Sequence, residues 1–480
     1  MAENRPPAPS PSGTAVVPPD WPRRVPAAVL ATCRRLRDDG HAAYVVGGGL
    51  RDLALARPGP ADWDVATAAP PQRVLELFRR AIPTGLPHGT VTVVVEGRPI
   101  EVTTFRGDGA YADGRHPVAV TFVERVEDDL ARRDFTVNAI AGDPLTGELI
   151  DPFGGREDLG ARILRAVGDP DARFAEDGLR PMRAARFAAV LEFDVEPATR
   201  AALARHLDVF RRVSRERVRD ELVKLLAAPR PSVGLRLLAE SGLLAEILPE
   251  LARAAGFAQN RWHEFDLFEH TLRAVDAAPV GPVRLAAMLH DLGKLDTAAW
   301  SEDKGDRTFH GHEPRSAELA GAWLRASRFP SRDSEHVVAL VAHHGVYYDD
   351  EWTDAAVRRW LRRIGPENLA DQLALLEADL VAKGDRPDVP GACAAAGRLA
   401  ARAAALLAAR PALDENALAL DGTAIMRLLG IGPGPRVGEV KRALLELVTD
   451  DPSRNTAGEL ERVVRERWGR PTGEGTAEPA

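Results

Sequence analysis

Apolar positions follow two different spacings along the first 150 residues of the chain. Some segments repeat apolar residues at the helical spacing, whereas others are short apolar runs flanked by turn residues, as is typical of strands. The predicted helices cover residues 21–38 and 72–81, and the predicted strands cover 41–46, 90–95 and 100–105. Glu96-Gly97-Arg98, between the last two strands, is a typical hairpin turn.

Strand signals fade after Asp151, and sequence rich in Ala, Leu and Arg continues with helical periodicity towards the C-terminus. The predicted fold class is therefore α+β, with a small mixed head followed by an extended all-α body. Residues 1–20 and 469–480 are rich in Pro, Gly or Thr and poor in large apolar side chains. We predict that both are disordered tails.

The composition predicts a soluble, cytoplasmic protein of about three domains. Of 480 residues, 45% are hydrophobic and 28% charged, an ordinary balance for a globular chain. Cys33 and Cys393 are far apart, which argues against a disulfide framework or a thiolate zinc site. The first twenty residues lack the apolar segment of a signal peptide, and no uninterrupted apolar run approaches the roughly 20 residues of a membrane span.

The net charge of −8 argues against a nucleic-acid partner only if charge is evenly spread. Residues 200–219 contain seven arginines and few acids. This run is either a stripe that faces phosphates or an ordinary solvated helix face, and the run alone does not decide between them.

A glycine turn follows the first predicted strand. Gly47, Gly48 and Gly49 precede Arg51 and Asp52 in what is expected to be the start of a helix. Glycines allow positive φ and a close backbone approach, and a helix N-terminus favours a phosphate. Most glycine turns are only tight turns, so the neighbouring segments must support a phosphate site.

Three acids provide that support. Asp62 and Asp64 lie two apart in an extended segment, so their side chains are expected on the same face. Adjacent carboxylates repel each other unless cations lie between them, and two Mg²⁺ ions can use them in phosphoryl displacement. Glu101, on a neighbouring strand, is the third candidate acid. An Asp-x-Asp alone is more often a surface turn.

These motifs, taken in order, resemble the bacterial (class II) CCA-adding tRNA nucleotidyltransferases of the polymerase-β-like superfamily. The resemblance extends almost without a gap from about Tyr44 to Phe187. It rests on the glycine turn, the Asp-x-Asp segment and Glu101, and on three further stretches: His88-Gly89-Thr90-Val91-Thr92-Val93, Asp129 to Ala139, and Asp151-Pro152-Phe153-Gly154-Gly155. The implied partners are tRNA, CTP and ATP, and the implied cofactor of the head is Mg²⁺.

The resemblance also implies roles for individual residues. Asp62 and Asp64 would bind the Mg²⁺ ions and, with Glu101, form the catalytic acids. Triphosphate, ribose and base would be held by Gly47, Gly48, Arg51, Asp52, Arg132, Asp134, Asn138, Asp177, Arg180 and Arg183. For Arg132 and Arg133, ion pairing with Asp128 and Asp129 is the structural alternative.

Asp177 and Arg180 are expected to select the base. In a helix they would be neighbours on one face, offering an acceptor beside a donor. Cytosine and adenine present the matching amino group beside a ring nitrogen, whereas uracil and guanine present the reverse. Gly178 and Pro181 disfavour a regular helix here, so it either begins late, with Pro181 in its first turn, or is bent.

The second half contains His290-Asp291 in Met288-Leu289-His290-Asp291-Leu292-Gly293-Lys294, which resembles the signature of HD phosphohydrolases. By order along the chain, the implied metal ligands are His270, His290, Asp291 and Asp379, and His312 and His343 are expected to complete a second site. Imidazole and carboxylate ligands suit Mn, Ni, Fe or Zn better than Mg. Whether this domain is active is left open.

The predicted domains are a tail (1–20), a catalytic head (21–155), a helical neck with template and RNA binding (156–260), an HD domain (261–400), a C-terminal helical tRNA-binding region (401–468) and a tail (469–480). The alternatives within the fold are a poly(A) polymerase and an enzyme that adds only CC or only A. The stretch 107–117 resembles a loop of full CCA-adding enzymes. Alternatives of another class are an HD phosphohydrolase with an RNA-binding head and a silent tRNA-binding factor. The oligomeric state is left open.

Overall fold

A seven-stranded mixed sheet forms within the first 150 residues of the computed structural model, which describes residues 17–57, 63–107, 121–409 and 411–469. Its strands are β1 (Ala43–Val46), β2 (Asp64–Thr67), β3 (Ala81–Gly85), β4 (Thr90–Val95), β5 (Arg98–Thr104), β6 (Ala141–Gly142) and β7 (Leu149–Ile150). Neighbouring strands follow the order β3-β4-β5-β2-β1-β6-β7. β2 and β5 pair in parallel, and the other neighbouring pairs are antiparallel.

The predicted hairpin is confirmed. β4 and β5 pair antiparallel, and Glu96 and Gly97 between them have φ of 51° and 77°. Positive φ at two central turn residues gives a turn whose twist matches that of the strands.

Among the strands that the sequence did not predict, which include β6 and β7, β3 is the longest. The helix predicted over 72–81 ends at Leu77, and the chain then forms an edge strand against β4. Ile82, Pro83 and Thr84 are all exposed, so no alternation of buried and exposed positions marks this strand. Pro83 is tolerated because an edge strand has unpaired backbone groups.

The chain divides into two compact units, one ending at Ala252 and the other beginning at Arg253. The helices of the first unit are α1 (Ala27–Asp38), α2 (Gly48–Ala54), α3 (Pro71–Leu77), α4 (Val126–Ala131), α5 (Gly155–Ala161), α6 (Pro170–Glu176), α7 (Arg180–Leu191), α8 (Pro197–Leu203), α9 (Leu207–Phe210), α10 (Arg215–Leu226), α11 (Pro231–Glu240) and α12 (Leu243–Ile247). A further helix, α13 (Pro249–Arg253), lies at the division. Two short strands, β8 (Ile163–Leu164) and β9 (Asp194–Val195), pair in parallel.

The first predicted helix is split in two. Trp21–Arg24 forms a 3₁₀ turn, and α1 begins only after Pro26, whose fixed φ suits a position just before a helix. α1 then buries Val29, Cys33 and Leu36 at the i, i+4, i+7 spacing that packs one face onto the sheet.

The second unit is mainly helical. Its helices are α14 (Leu267–Ala277), α15 (Pro282–Leu289), α16 (Lys294–Thr297), α17 (His312–Ala326), α18 (Ser331–Ala342), α19 (Asp354–Ile364), α20 (Leu369–Ala382), α21 (Val389–Ala408), α22 (Gly422–Leu429), α23 (Pro435–Asp450) and α24 (Ala457–Trp468). A small hairpin joins β10 (Ala299–Ser301) and β11 (Asp306–Thr308). α14, α15, α18 and α20 pack against one another and bring the histidine-containing segments together.

Helices α22 to α24 share an apolar cluster of their own. The stretch 459–468 lies in α24, and its Leu460, Val463 and Val464 pack in this cluster with Ile425 and Leu444. The apolar face of that stretch is therefore used inside the fold.

One described helix, α21, meets the length and composition of a membrane span, with a mean hydropathy of 1.2 over an 18-residue window. Its apolar sequence is interrupted by Arg398 and Arg402, which donate to Asp350 and Asp354. Leu399 and Ala403 are its buried residues, and they belong to an apolar cluster with α19.

Candidate functional site

The glycine turn opens α2 as the sequence predicted. Gly47 has φ of +70°, and a Cβ there would lie 3.0 Å from Nη1 of Arg133, so this position suits glycine. Arg51 donates from Nη1 to Oδ1 of Asn138 at 2.7 Å and from Nε to Oδ1 of Asp52 at 2.9 Å. The turn and the segment around Asn138 thus form one local site.

The register of the sheet places two of the predicted acids side by side. Asp64 is the first residue of β2, and its Cα partner on the parallel strand β5 is Glu101. Both side chains are exposed. Asp62 lies outside the described residues, so the geometry of the Asp-x-Asp pair itself stays a prediction.

Asp129, near the end of α4, forms ion pairs with Arg132 and Arg133. It is 1% exposed and accepts from Arg132 at 2.7 Å and from Arg133 at 3.1 Å. Burial alone would raise the pKa of Asp129, but the charges of the two arginines lower it below its usual value. The ion-pairing alternative for Arg132 and Arg133 is therefore realised through Asp129, although Arg132 was expected to bind nucleotide.

Asp134 and Asn138 are buried and form a polar cluster with the partly exposed Arg183. Arg183 donates to Oδ2 of Asp134 from Nε at 2.8 Å and from Nη2 at 2.6 Å, and Asn138 Nδ2 donates to Oδ1 at 3.1 Å. Burial opposes ionisation of this carboxyl, but the charge of Arg183 and these hydrogen bonds lower the pKa of Asp134 to about 2. Three residues that were predicted to bind nucleotide are thus in direct contact.

Of the two geometries left open for Asp177 and Arg180, the pair expected to select the base, the late helix start is confirmed. α7 begins at Arg180, with Pro181 in its first turn, so Asp177 lies before the helix and the two are not helical neighbours. Arg180 instead donates to Glu176 at 2.6 Å and to the carbonyl of Arg132 at 2.8 Å. The late start of the helix is the physical reason that Asp177 and Arg180 do not share one helical face.

Asp177 is paired with a residue that the sequence analysis did not select. Nη2 of Arg217, at the start of α10, donates to both of its carboxylate oxygens at 3.2 and 3.0 Å. A pairing over 40 positions has no sequence signal other than the surplus of arginine in the run 200–219.

The structure shows what the arginines of the run 200–219 contact. Most of its arginines bind acids or carbonyls supplied by other segments: Arg200 with Glu240, Arg205 with Asp171, Arg211 with Glu246, and Arg215 with the carbonyl of Glu246. Exposed ion pairs of this kind still leave the side chains accessible, but the run is not an unpaired stripe of charge.

In the second unit, the four predicted ligands converge. His270, His290, Asp291 and Asp379 each offer one ligand atom, and these atoms lie within 4.8 Å of one another. Nε2 of His270 is 3.0 Å from Oδ1 of Asp379, and Nε2 of His290 is 3.1 Å from Oδ2 of Asp291. Both histidines are fully buried.

A second group shares Asp291. Its members are Asp291, His312 and His344, and both imidazoles place Nε2 at 3.4 Å from Oδ1 of Asp291. His344, rather than the predicted His343, completes this group because α18 ends at Ala342 and the following turn directs the next residue but one inward. The two oxygens of Asp291 therefore face different histidine pairs.

The chemistry of these groups fits metal ions. His290, His312 and His344 each lie 2.7 to 2.8 Å from a backbone carbonyl through Nδ1, which leaves Nε2 as the metal-facing nitrogen. Oδ1 of Asp291 is buried without a hydrogen-bond partner among the described residues. A buried unpaired carboxylate oxygen beside imidazole nitrogens is the arrangement that a bridging ligand requires.

The pKa values of the buried acids and of His290 also favour a site for positive charge. The pKa of Asp291 and that of Asp379 are held well below the usual range, because nearby cationic groups outweigh the effect of burial. The pKa of His290 is raised to about 10, since the two carboxylates outweigh burial, which alone would lower it. The carboxylates thus stabilise positive charge at this centre, whether protons or metal ions supply it.

A cavity of about 1200 Å³ opens in front of this centre. Lys294 lines this cavity and donates to Asp291 at 2.6 Å and to Gln259 at 2.9 Å. It was not among the site residues predicted from the sequence. Tyr347 and Trp262, 79% and 56% exposed, are aromatic residues of its wall. The cavity can hold a ligand far larger than a phosphate ion.

Three family models match separate parts of the chain. Residues 43–165 match a poly A polymerase head domain, residues 192–255 match a probable RNA and SrmB-binding site of polymerase A, and residues 267–386 match an HD domain.

CCA-adding enzymes of other bacteria match about half of this chain. The CCA-adding enzyme of Geobacillus thermodenitrificans is 48% identical over 239 residues, which cover 48% of this chain and 58% of that protein. The CCA-adding enzyme of Lactobacillus johnsonii is 44% identical over 220 residues, which cover 46% of this chain and 55% of that protein. The chain therefore spans somewhat more than half the length of the relatives that it matches.

A solved structure matches over more of the chain. The crystal structure of the Bacillus stearothermophilus CCA-adding enzyme in complex with CTP is 32% identical, with a TM-score of 0.71. The match covers 94% of this chain and 98% of that one. The similarity thus includes both the mixed head and the helical body.

Proposed function

Because the chain belongs to the CCA-adding enzyme family, we propose that it adds C, C and A in turn to the 3′ end of tRNA. CTP and ATP are the donors, and pyrophosphate is the leaving group at each step. The observation that carries the proposal is the register that sets Asp64 beside Glu101, on the same sheet as the glycine turn.

The acids act at the α-phosphorus of the bound nucleotide. Asp62 and Asp64 would hold Mg²⁺, with Glu101 as the third acid. When bound there, such ions would activate the attacking tRNA hydroxyl and stabilise charge on the leaving oxygens. The tRNA 3′-oxygen forms a bond to the α-phosphorus, its proton passes to solvent, and the bond between the α-phosphorus and the pyrophosphate oxygen breaks.

The polar groups near the turn position the nucleotide. Arg51 and Arg183 supply positive charge, and Asn138 and Asp134 offer a fixed donor and acceptor for the sugar. Their mutual hydrogen bonds support this role, because groups that are held before binding lose little freedom when a ligand arrives.

Base selection is assigned to Asp177 and Arg180, as the sequence suggested, but with each side chain held by a different neighbour. Asp177 is an acceptor fixed by Arg217, and Arg180 is a donor fixed by Glu176. Cytosine and adenine match this pair, whereas uracil and guanine leave buried polar groups unpaired.

The test is incubation of the full-length protein with Mg²⁺ and tRNA that lacks its CCA end, with products resolved at single-nucleotide length. Growth by two nucleotides with CTP alone and by three with both nucleotides supports the proposal. Long A tails would identify a poly(A) polymerase, and addition that stops at CC or requires a CC end would identify a partial enzyme. Asp64→Asn should abolish extension, whereas Asp64→Glu should retain part of it.

The second unit supports a second activity, hydrolysis of a phosphoester by a metal centre on His270, His290, Asp291, Asp379, His312 and His344. The observation that favours it is the shared carboxylate of Asp291 at the floor of the large cavity. Mn²⁺, Ni²⁺ or another transition metal suits these ligands. Hydrolysis that is lost in Asp291→Asn but kept in Asp64→Asn would assign the activity to this centre.

The remaining features of the proposal concern setting and organisation. A cytoplasmic location is expected because tRNA and both nucleotides are supplied there. The catalytic head (21–155), the neck (156–260), the HD domain (261–400) and a tRNA-binding region (401–468) are the proposed functional divisions. The stretch 107–117 was predicted to resemble a loop of full CCA-adding enzymes, and all of it except Gly107 lies outside the described residues. Residues 1–16 and 470–480 of the predicted tails also lie outside them.

A further inference from the structure

Three arginines of the first unit share one aromatic ring. Phe187, on α7, is 5% exposed and packs edge-to-face on Phe135, with ring centroids 5.7 Å apart. The guanidinium carbons of Arg186, Arg51 and Arg183 lie 3.9, 5.3 and 5.5 Å from its centroid. Each distance is within the range of about 6 Å at which an aromatic ring attracts a cation.

The three arginines reach the ring from two parts of the chain, α2 and α7. Each also has its own polar partner: Arg51 donates to Asn138, Arg183 to Asp134 and Arg186 to Glu221. Glu221 is 3% exposed, so the Arg186 pair is an internal anchor. Arg183 is 34% exposed at its side chain and is accessible to a ligand.

Three like charges around one ring repel one another, and this repulsion is strong where water is excluded. The polar partners fix one end of each guanidinium group, and the ring attracts its face. An aliphatic side chain of similar size fills the space but supplies no such attraction. Without the ring, the guanidinium groups of Arg51 and Arg183 would move apart, towards solvent and towards Asn138 and Asp134, their hydrogen-bond partners.

We propose that Phe187 is a positioning residue of the nucleotide site. Its ring holds the guanidinium groups of Arg51, on α2 after the glycine turn, and of Arg183, on α7, in fixed positions relative to each other. The inference rests on the proposed nucleotidyl transfer. Phe187 contacts no reacting atom in this scheme, and it acts through the two arginines.

Phe193 provides a matched control. It is 3% exposed in the same unit, and the guanidinium carbon of Arg162 lies 5.4 Å from its ring centroid. Arg162 donates to the carbonyls of Leu191 and Glu192, and neither residue belongs to the candidate site. Phe193→Leu thus removes a buried ring and one cation contact without touching Arg51 or Arg183.

The experiment compares full-length wild type with Phe187→Leu, Phe193→Leu and Phe187→Tyr. CTP binding is measured by calorimetry, CTP addition to tRNA gives KM and kcat, and thermal unfolding reports the general cost of each change. Phe187→Leu should weaken CTP binding and raise KM roughly five- to twenty-fold, with a smaller change in kcat. Phe193→Leu should lower Tm similarly but keep CTP affinity within about two-fold, and Phe187→Tyr should restore affinity because it keeps a ring face. Phe187→Met replaces the leucine variant if that does not fold.

Equal CTP affinity in Phe187→Leu and Phe193→Leu would overturn the inference while leaving the proposed function intact. So would a folded Phe187→Tyr that binds CTP as weakly as Phe187→Leu. A wild type that neither binds CTP nor extends tRNA would overturn both.

Discussion

Arg217 donates two hydrogen bonds from one nitrogen to the two carboxylate oxygens of Asp177, 40 positions earlier in the chain. The pair links the start of α10 to the turn before α7. In the proposed function, this carboxylate accepts a hydrogen bond from the amino group of the base. Arg217 therefore fixes the acceptor, whereas Glu176 fixes the donor Arg180.

We expect Arg217→Met to reduce base selection more than stability. The freed carboxylate would turn towards solvent, and addition of U relative to C should rise about ten-fold, since discrimination depends on fixed polar partners. Competition between CTP and UTP on one tRNA measures the ratio. Arg200→Met, which removes an exposed arginine paired with Glu240, is the control and should leave the ratio unchanged. An unchanged ratio in Arg217→Met would show that Asp177 needs no such support.

Asp129→Asn should destabilise the first unit. The neutral amide would leave the charges of Arg132 and Arg133 without their buried counter-ion, at a cost of roughly 3 kcal/mol. Asp128→Asn, one residue earlier on an exposed position of α4, should change the free energy of unfolding by less than about 0.5 kcal/mol. Denaturant unfolding of both variants checks this, and equal effects would mean that Asp129 is not the counter-ion of the two arginines.

The sequence predicted the parts of the fold that repeat a local pattern. The hairpin of β4 and β5, the helix after the glycine turn and the helical body all have a spacing or turn residue that indicates them. β3 was missed because an exposed edge strand shows no alternation of burial. The pairing of Asp64 with Glu101 was anticipated only as a neighbouring acid, since strand register depends on contacts across the sheet.

The candidate sites divide in the same way. Ligands that occur in a recognisable order, such as His290-Asp291, were found, whereas Arg217, His344 and Lys294 were not selected. Their roles depend on how helices end and pack. His343 and His344 are adjacent in the chain, but the end of α18 directs only the second towards Asp291. Motif order cannot resolve a difference that is set by the turn after a helix.

His343 and His344 form a matched pair for testing the metal centre. His344→Ala should remove one of two bound ions, because it leaves Asp291 and His312 as an incomplete group. His343→Ala, outside both groups, should leave the number of ions unchanged. Mn²⁺ titrations in an Asp64→Asn background, which reduces the contribution of the head, give the stoichiometry. Loss of an ion in His343→Ala but not in His344→Ala would contradict the assignment.

The centre should also respond to pH in a direction that the pKa of His290 sets. In the metal-free protein burial opposes the charge, but Asp291 and Asp379 raise this pKa to about 10, above the ordinary value of about 6.5 in an unfolded chain. A raised pKa means that the stabilisation is complete below about pH 6.5 and is lost as the pH rises towards about 10. The Tm of metal-free protein should therefore fall over this interval, and His290→Gln should reduce the fall.

Metal binding should show the opposite trend over the same interval. An ion needs the unprotonated Nε2 of His290, so binding must displace its proton, and affinity should rise with pH. Calorimetric Mn²⁺ titrations at pH 7 and pH 9, in buffers of different ionisation enthalpy, measure both the affinity and the protons released. Release of about one proton for the first ion at pH 7 is expected, because His290 is then protonated in the free protein. An affinity that is constant between pH 7 and pH 9, with no proton release, would show that Asp291 and Asp379 do not hold this histidine in its charged form.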